Sequence, residues 1–364
     1  MKKVLFYIHS LNKGGAEKVL LTVAEELNRS EEYDVTIITD TVDELEYEPS
    51  EGIKRIVVDK EADNVSAITR LKVIRRCVKQ QDPDKVVVFM LSSVIRAALA
   101  LFGTKYKFIG AVRSNPYDDY SSGFNRTLLM LALDRCERMV CQTEYQVDFF
   151  PERFREKCAV ISNPIFEEFV KKAEELSNNK KTDDFAKDRL SGKIAATGRL
   201  FDYKNHRMLI RAFKHISEDY PDVNVTIYGE GPYREELENE IEKFGLKDRV
   251  FLPGDSSAVA KDISDAIIYV LPSDTEGLPN ALMEAMALNL PVISTDCPCG
   301  GPKSLIDDGV NGLLVPVGDE EAMAQALKRL LDDGELRNKL GMNAGLIRQT
   351  NSVDKIVAAW KELI

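Results

Sequence analysis

Histidine is scarce in this chain of 364 residues: His9, His206 and His215 stand far apart. No second Cys/His pair at zinc-finger spacing accompanies the Cys297-x-Cys299 pair, so "PVISTDCPCGGP" reads as a turn after a buried strand and no metal site is expected. Long apolar runs are also missing. Nothing approaches the ~20 residues of a membrane span. The N-terminal "MKKVLFYIHS" has too short an apolar run, and no small-residue cleavage site, for a secretory signal. The six cysteines (Cys77, Cys136, Cys141, Cys158, Cys297, Cys299) are scattered, which suits a cytoplasmic protein with reduced thiols. Positive charge is not in excess: the formal net charge of -11 argues against nucleic acid as a partner. There is no G-x-x-x-x-G-K-[ST] phosphate loop. "YGEGPYREEL" has Gly229 and Gly231 but Arg234 where a dinucleotide fingerprint needs its third glycine, which speaks against a nicotinamide enzyme. No solenoid-period repeat or low-complexity tract occurs.

What the chain does have is size, 44% apolar composition and alternation. "VLFYIHS" is an apolar run, "LNKGG" breaks it, and "AEKVLLTVAEEL" sets Val19, Leu20, Val23 and Leu27 on one helical face. "YDVTIITD", "IKRIVVD", "DKVVVFM" and "KFIGAVRS" follow as strands, separated by helical patterns such as "AITRLKVIRRCVK" and "RTLLMLALDRCE". A second series comprises "KIAATGRL", "NVTIYGEG", "RVFLPG", "AIIYVLPS", "LPVISTD" and "GLLVP". The expected fold class is therefore α/β, with two Rossmann-like, doubly wound parallel-sheet domains facing a central cleft. The expected divisions are an N-terminal domain over 1–170, a charged linker over 171–191, a C-terminal domain over 192–345, and a helix over 346–364 that packs back on the first domain.

In such sheets ligands bind where strands end and helices begin, and the unusual clusters fall there. After the first strand, Gly14 and Gly15 let the backbone approach a ligand, or simply make a tight turn. After the first strand of the second half, "TGRLFDYKNH" places Arg199 and Lys204 five positions apart, suited to a diphosphate or merely solvated. "SDTEGLPNALMEAM" puts Pro279 in the first turn of a helix, so that the backbone N–H groups of Gly277, Leu278 and Asn280 face an anion. Glu276 stands just outside that position, and Glu284 leans back toward it from over one turn further on. Such carboxylates suit the hydroxyls at two ends of a nucleotide diphosphate sugar; the plainer reading is acids favouring a helix start. Asp82-Pro83-Asp84 reads as a turn.

The ordered set "GGAE", "GRL…K", "YGEGP", "VFLPG", "TEGLPNALMEAMALNLPVIST" and "DGVNGLLVP" covers nearly the whole chain. It resembles the retaining glycosyltransferases of sequence family 4, with their GT-B fold and E-x7-E signature. That resemblance implies a hexose or N-acetylhexosamine moved from a nucleotide diphosphate sugar, chiefly a UDP-sugar, to a saccharide acceptor. It also implies no cofactor and no metal, the cations standing in. Arg199 and Lys204 would bind the donor diphosphate, with Gly15 close to the same phosphates. Glu276 would orient the donor sugar, with Gly231, Gly277, Leu278 and Asn280 around the donor, while Glu284 would take the ribose and Leu252 to Gly254 would line the base pocket. Retention would come from front-side attack assisted by the leaving phosphate, and no nucleophile is named.

Where some relatives carry a histidine in the first domain, this chain reads "AVRSNPY", so Arg113 and Lys13 are the acceptor-side candidates. Many similar enzymes extend lipid-linked saccharides, which implies an acceptor such as one on a polyprenyl diphosphate and a peripheral contact with the inner face of the cell membrane. Arg70, Lys72, Arg75, Arg76 and Lys79 on "ITRLKVIRRCVK" would serve that contact, or are the solvated face of a sheet-covering helix. The alternatives are another enzyme on this fold, such as a sugar-nucleotide epimerase or a phosphorylase, and a non-catalytic nucleotide-sugar-binding subunit.

Overall fold

The computed structural model describes residues 1–61, 66–178, 192–298 and 300–364, without the side chain of Asp119. It forms two compact units, Met1–Pro164 with Val353–Ile364, and Ile165–Ser352. Each is an α/β doubly wound parallel sheet. The first unit holds β1 (Lys2–Ile8), β2 (Tyr33–Thr39), β3 (Lys54–Val57), β4 (Lys85–Phe89), β5 (Phe108–Ala111), β6 (Cys136–Cys141) and β7 (Cys158–Val160), in the order β3-β2-β1-β4-β5-β6-β7. The second holds β8 (Lys193–Thr197), β9 (Asn224–Tyr228), β10 (Val250–Gly254), β11 (Ile268–Leu271), β12 (Val292–Thr295) and β13 (Leu313–Val315), in the order β10-β9-β8-β11-β12-β13.

Parallel strands need crossovers, and crossover helices bury both faces of a sheet. The central strands accordingly read as continuous apolar runs: Val86, Val87, Val88 and Phe89 of β4 are each at most 2% exposed. Strand order reverses at the first strand of each unit, between β1 and β4 and between β8 and β11. These reversals open the crevices where such sheets bind ligands. In the first unit β1 and β2 run in step from Lys2 opposite Tyr33 to Ile8 opposite Thr39, so His9 and Asp40 leave the sheet side by side. The helix Gly15–Arg29 then buries Val19, Leu20, Val23 and Leu27, the face its periodicity marks.

The units divide elsewhere than composition suggests. Residues 171–178, read as linker, end the helix Glu167–Asn178, which buries Phe169 and Ala173 within the second unit; the rest of that expected linker, 179–191, lies outside the described residues. Residues 346–352 also stay with the second unit. There Arg348 donates to Ala287 O and to Asn289 Oδ1, the latter at 2.8 Å, and Ile165 N donates to Asn351 O at 2.8 Å. The chain re-enters the first unit at Val353, and the helix Val353–Leu363 packs on Gly15–Arg29. Its Trp360, fully buried, stacks on Phe89 with ring centroids 5.6 Å apart and planes at 18°.

Candidate active site

The second unit's crevice is built from the loops after β8 and β11, and it gathers three of the expected residues. Lys204 Nζ donates to Glu276 Oε1 at 2.6 Å, and Ser273 Oγ donates to the same oxygen at 2.7 Å. Two further bonds lace the loops together: Asp274 N donates to Tyr203 O at 2.8 Å, and Asn205 Nδ2 donates to Asp274 Oδ1 at 2.7 Å. Asn205 takes a left-handed backbone, φ 45°, and its side chain also accepts from Met208 N, capping the helix His206–Ile216. Lys204 is thus held one residue from a fixed helix start. Arg199 lies at the exposed rim, its Nη2 donating to the Tyr203 hydroxyl at 2.9 Å while its guanidinium stands 5.0 Å from the centre of the Phe201 ring.

Beneath the loops, Tyr269 of β11 and Thr197 of β8 join hydroxyls at 2.8 Å across the crevice floor. Burial, together with the charges of Glu284 and Glu276, raises the phenol above its ordinary value. Glu284 is half-buried on the helix Asn280–Ala287. Pro279 is the residue before that helix, not in its first turn: at φ -77° and ψ 106° it is extended, and Asn280 opens the helix. Gly277 and Leu278 form the approach, with Leu278 buried.

His206 is 2% exposed, and its ring lies against the backbone of Gly198 and Arg199, which favours the protonated form only weakly. Burial, followed by the nearby Lys204 charge, pushes its pKa down to about 4. The ring is therefore neutral where it lies buried next to the loop that carries Lys204.

Glycines let these loops touch. Gly229 has φ +149°, and a side chain there would collide with the Gly198 carbonyl; Gly231 meets the Leu200 backbone in the same way. The "YGEGP" glycines thus bring the β9 loop onto the β8 loop, where Leu200 N donates to Glu230 O at 2.8 Å. Gly254 follows, its carbonyl accepting from Gly229 N at 2.9 Å, and Leu252 O accepts from Arg234 Nη1 at 3.1 Å. On the other side, Gly301 lies against the Gly277 carbonyl with no room for a Cβ. Gly301→Ala should therefore displace the Glu276–Pro279 segment and lower stability by about 1–3 kcal/mol, the usual range for overpacking, as read by chemical denaturation. A variant as stable as the unaltered chain would mean that the contact yields freely. Cys297 is buried, with Sγ 3.1 Å from Ser273 O, and Cys299 lies outside the described residues.

The remaining candidates belong to the first unit. Gly15 opens the helix Gly15–Arg29, and Lys13 is exposed in the preceding loop, its N–H donating to Leu45 O at 3.3 Å. Arg113 departs from the acceptor-side expectation. Its guanidinium is buried 4.4 Å from the Phe89 ring centre and 5.5 Å from that of Trp360, with Nη1 donating to Asn163 Oδ1 at 2.9 Å. Burial lowers its pKa to about 9. The apolar stack that hides it makes Arg113 part of the core's polar seam. Asp82 caps the helix Ala67–Gln81 with φ 43°, and Asp84 Oδ2 accepts from Lys3 N at 2.8 Å, so Asp82-Pro83-Asp84 joins that helix to β4.

Sequence reasoning did not find Ser273, Asn205, Asp274, Tyr269 or the burial of His206. Asn before an apolar-periodic helix was the one available signal, as a cap.

Two family models together match residues 13–346: Glycosyltransferase Family 4 over residues 13–169 and Glycosyl transferases group 1 over residues 168–346. The chain is 28% identical over 375 residues to an uncharacterized glycosyltransferase of Haemophilus influenzae, covering 100% of both. It is 27% identical to the N-acetylgalactosamine-N,N'-diacetylbacillosaminyl-diphospho-undecaprenol 4-alpha-N-acetylgalactosaminyltransferase of Campylobacter jejuni, covering 93% of this chain and 92% of that one. Its fold is similar to Anabaena HepE in complex with UDP, with a TM-score of 0.81 and 18% identity over 100% of this chain and 99% of that one.

Proposed function

Because the chain belongs to the GT-B glycosyltransferases of the family 4 type, we propose that it is a retaining, metal-independent hexosyl- or N-acetylhexosaminyltransferase that uses a nucleotide diphosphate sugar, chiefly a UDP-sugar. In this reading the second unit binds the donor and the first binds a saccharide acceptor carried on a polyprenyl diphosphate. The observation that carries it is the Lys204–Glu276 pair at the β8–β11 reversal, with Arg199 at its rim. A diphosphate and a hydroxylated ring both find partners there: cations for the one, a carboxylate for the other. The acceptor oxygen bonds to the anomeric carbon on the face from which the diphosphate departs, and the departing phosphate oxygen takes the acceptor's proton. Lys204 and Arg199 offset the charge that builds on it, in the place a metal ion would otherwise hold. Glu284 takes the ribose, Leu252 to Gly254 line the base pocket, and Gly15 attends the phosphates.

The acceptor assignment draws on the diphospho-undecaprenol named for the Campylobacter jejuni relative. Among the described residues no helix is long and apolar enough to cross a membrane. The membrane contact proposed for the helix Ala67–Gln81 rests on Lys72 and Lys79, because Arg70 pairs with Asp59, Arg76 with Glu61, and Arg75 donates to Ala100 O and Phe102 O.

The test is nucleoside diphosphate release from a panel of nucleotide sugars, with and without extracted polyprenyl-diphosphate saccharides, run also in chelator. Release should depend on one donor, rise with acceptor, persist in chelator and collapse in Glu276→Ala and Arg199→Ala. The product's anomeric configuration, read by NMR, should match the donor's. Nucleotide binding without release from any donor would favour a non-catalytic subunit.

A further inference from the structure

The first unit carries a second arrangement that the donor reading leaves unused. His9 follows β1 at the unit's own strand-order reversal, and its side chain is 50% exposed. Its Nδ1 lies 2.9 Å from Oδ2 of Asp40, a residue that leaves β2 alongside it and is fully buried. Asp40 Oδ1 accepts from the Tyr7 hydroxyl at 2.9 Å, and Arg96, from the helix Leu91–Ala100 after β4, reaches Oδ2 at 3.3 Å. The backbone adds two bonds: Asp40 N and Thr41 N donate to His9 O at 2.9 and 3.2 Å. Asp40 thus ties together β1, β2 and the β4 helix at the crevice. Its oxygens already receive a hydroxyl and a guanidinium, so toward the imidazole they accept, and Nδ1 carries the proton. In the neutral form of the ring Nε2 is then the acceptor, and the ring cannot turn without breaking the Asp40 bond.

We propose that His9 is the acceptor-recognition residue of the first unit, its Nε2 accepting a hydrogen bond from a hydroxyl of the acceptor saccharide, with Asp40 as the positioning residue that fixes its tautomer and orientation. This rests on the transferase reading for its division of labour between the units. Three features set the site apart from the exposed Lys13: a fixed ring, a buried orienting carboxylate, and a place at the strand-order reversal.

Two measurements test it. With the donor and acceptor returned by the release assay, His9→Ala should raise the acceptor KM about tenfold, the cost of one lost hydrogen bond, while the donor KM stays at its original value. His9→Gln, which returns an amide near the Nε2 position, should recover part of the loss, and His9→Asn, which is shorter, should not. An unchanged acceptor KM, or a donor KM that rises equally, overturns the proposal. The second measurement needs no turnover: with only three histidines in the chain, ring 15N labelling gives a small set of signals, and His9→Gln assigns one of them. Extracted polyprenyl-diphosphate saccharides added without nucleotide should shift the His9 Nε2 signal. No shift in a protein that transfers sugar overturns the His9 assignment. A shift in a protein that releases no nucleotide retains His9 and removes the transferase reading.

Discussion

Lys204→Ala should lower turnover about 10²–10³-fold, the scale of losing one fixed donor to a charge that forms in the transition state. The effect should exceed that of Arg199→Ala. Lys204 is only 17% exposed and sits 2.6 Å from the Glu276 carboxylate, which is 10% exposed, whereas Arg199 lies at the surface and leans on a tyrosine hydroxyl. Stability should fall as well, because the variant leaves a largely buried carboxylate without its cation. The loss should be smaller than the about 3–5 kcal/mol of a fully buried pair, since Ser273 still donates to Glu276. Lys204→Ala/Glu276→Ala should therefore regain stability in denaturant without regaining activity. Turnover within a few-fold of the unaltered chain would remove Lys204 from the mechanism.

The second large effect is on pH. Folding holds His206 neutral by burial and then by the Lys204 charge, with its pKa near 4 against 6.5 when exposed. The unfolded chain takes up a proton below pH 6.5 and the folded chain does not, so stability is complete above that pH and drains away as pH falls toward 4. Below 4 both states are protonated and the loss levels off. The difference amounts to about 3 kcal/mol. Carboxylates titrate over the same range, so the observable is the gap between the unaltered chain and His206→Leu, measured by denaturant unfolding at several pH values. The gap should change by that amount between pH 7 and 4. Parallel curves would show that the ring finds a proton acceptor in the folded state.

Local pattern carries the central strands of each sheet because they bury runs of their own: "KVVVF" and "IYVL" needed no knowledge of their neighbours. It fails at β6, where "CERMVC" exposes Glu137 and Arg138 and leaves an apolar stretch too short to stand out from the preceding helical pattern. It fails again at the expected linker, whose charge masked the Phe169 and Ala173 side of a helix. In the crevice, Glu276, Lys204 and Arg199 were legible from residue type and loop position. Their supports were not, since Asn205 finds Asp274 and Thr197 finds Tyr269 only after the strand order is set, and nothing in either local stretch announces the other. Arg113 shows the converse. Read as an acceptor contact because it stands where some relatives carry a histidine, it is instead enclosed by Phe89 and Trp360.

Trp360 reaches Phe89 only after the chain has left the first unit and passed through all of the second. On the ribosome, the first sheet would emerge with one flank of its core uncovered and would wait there while the other domain is made. The single tryptophan then reports the closing step: its fluorescence should change when the nascent chain docks the helix Val353–Leu363, after the sheets have formed.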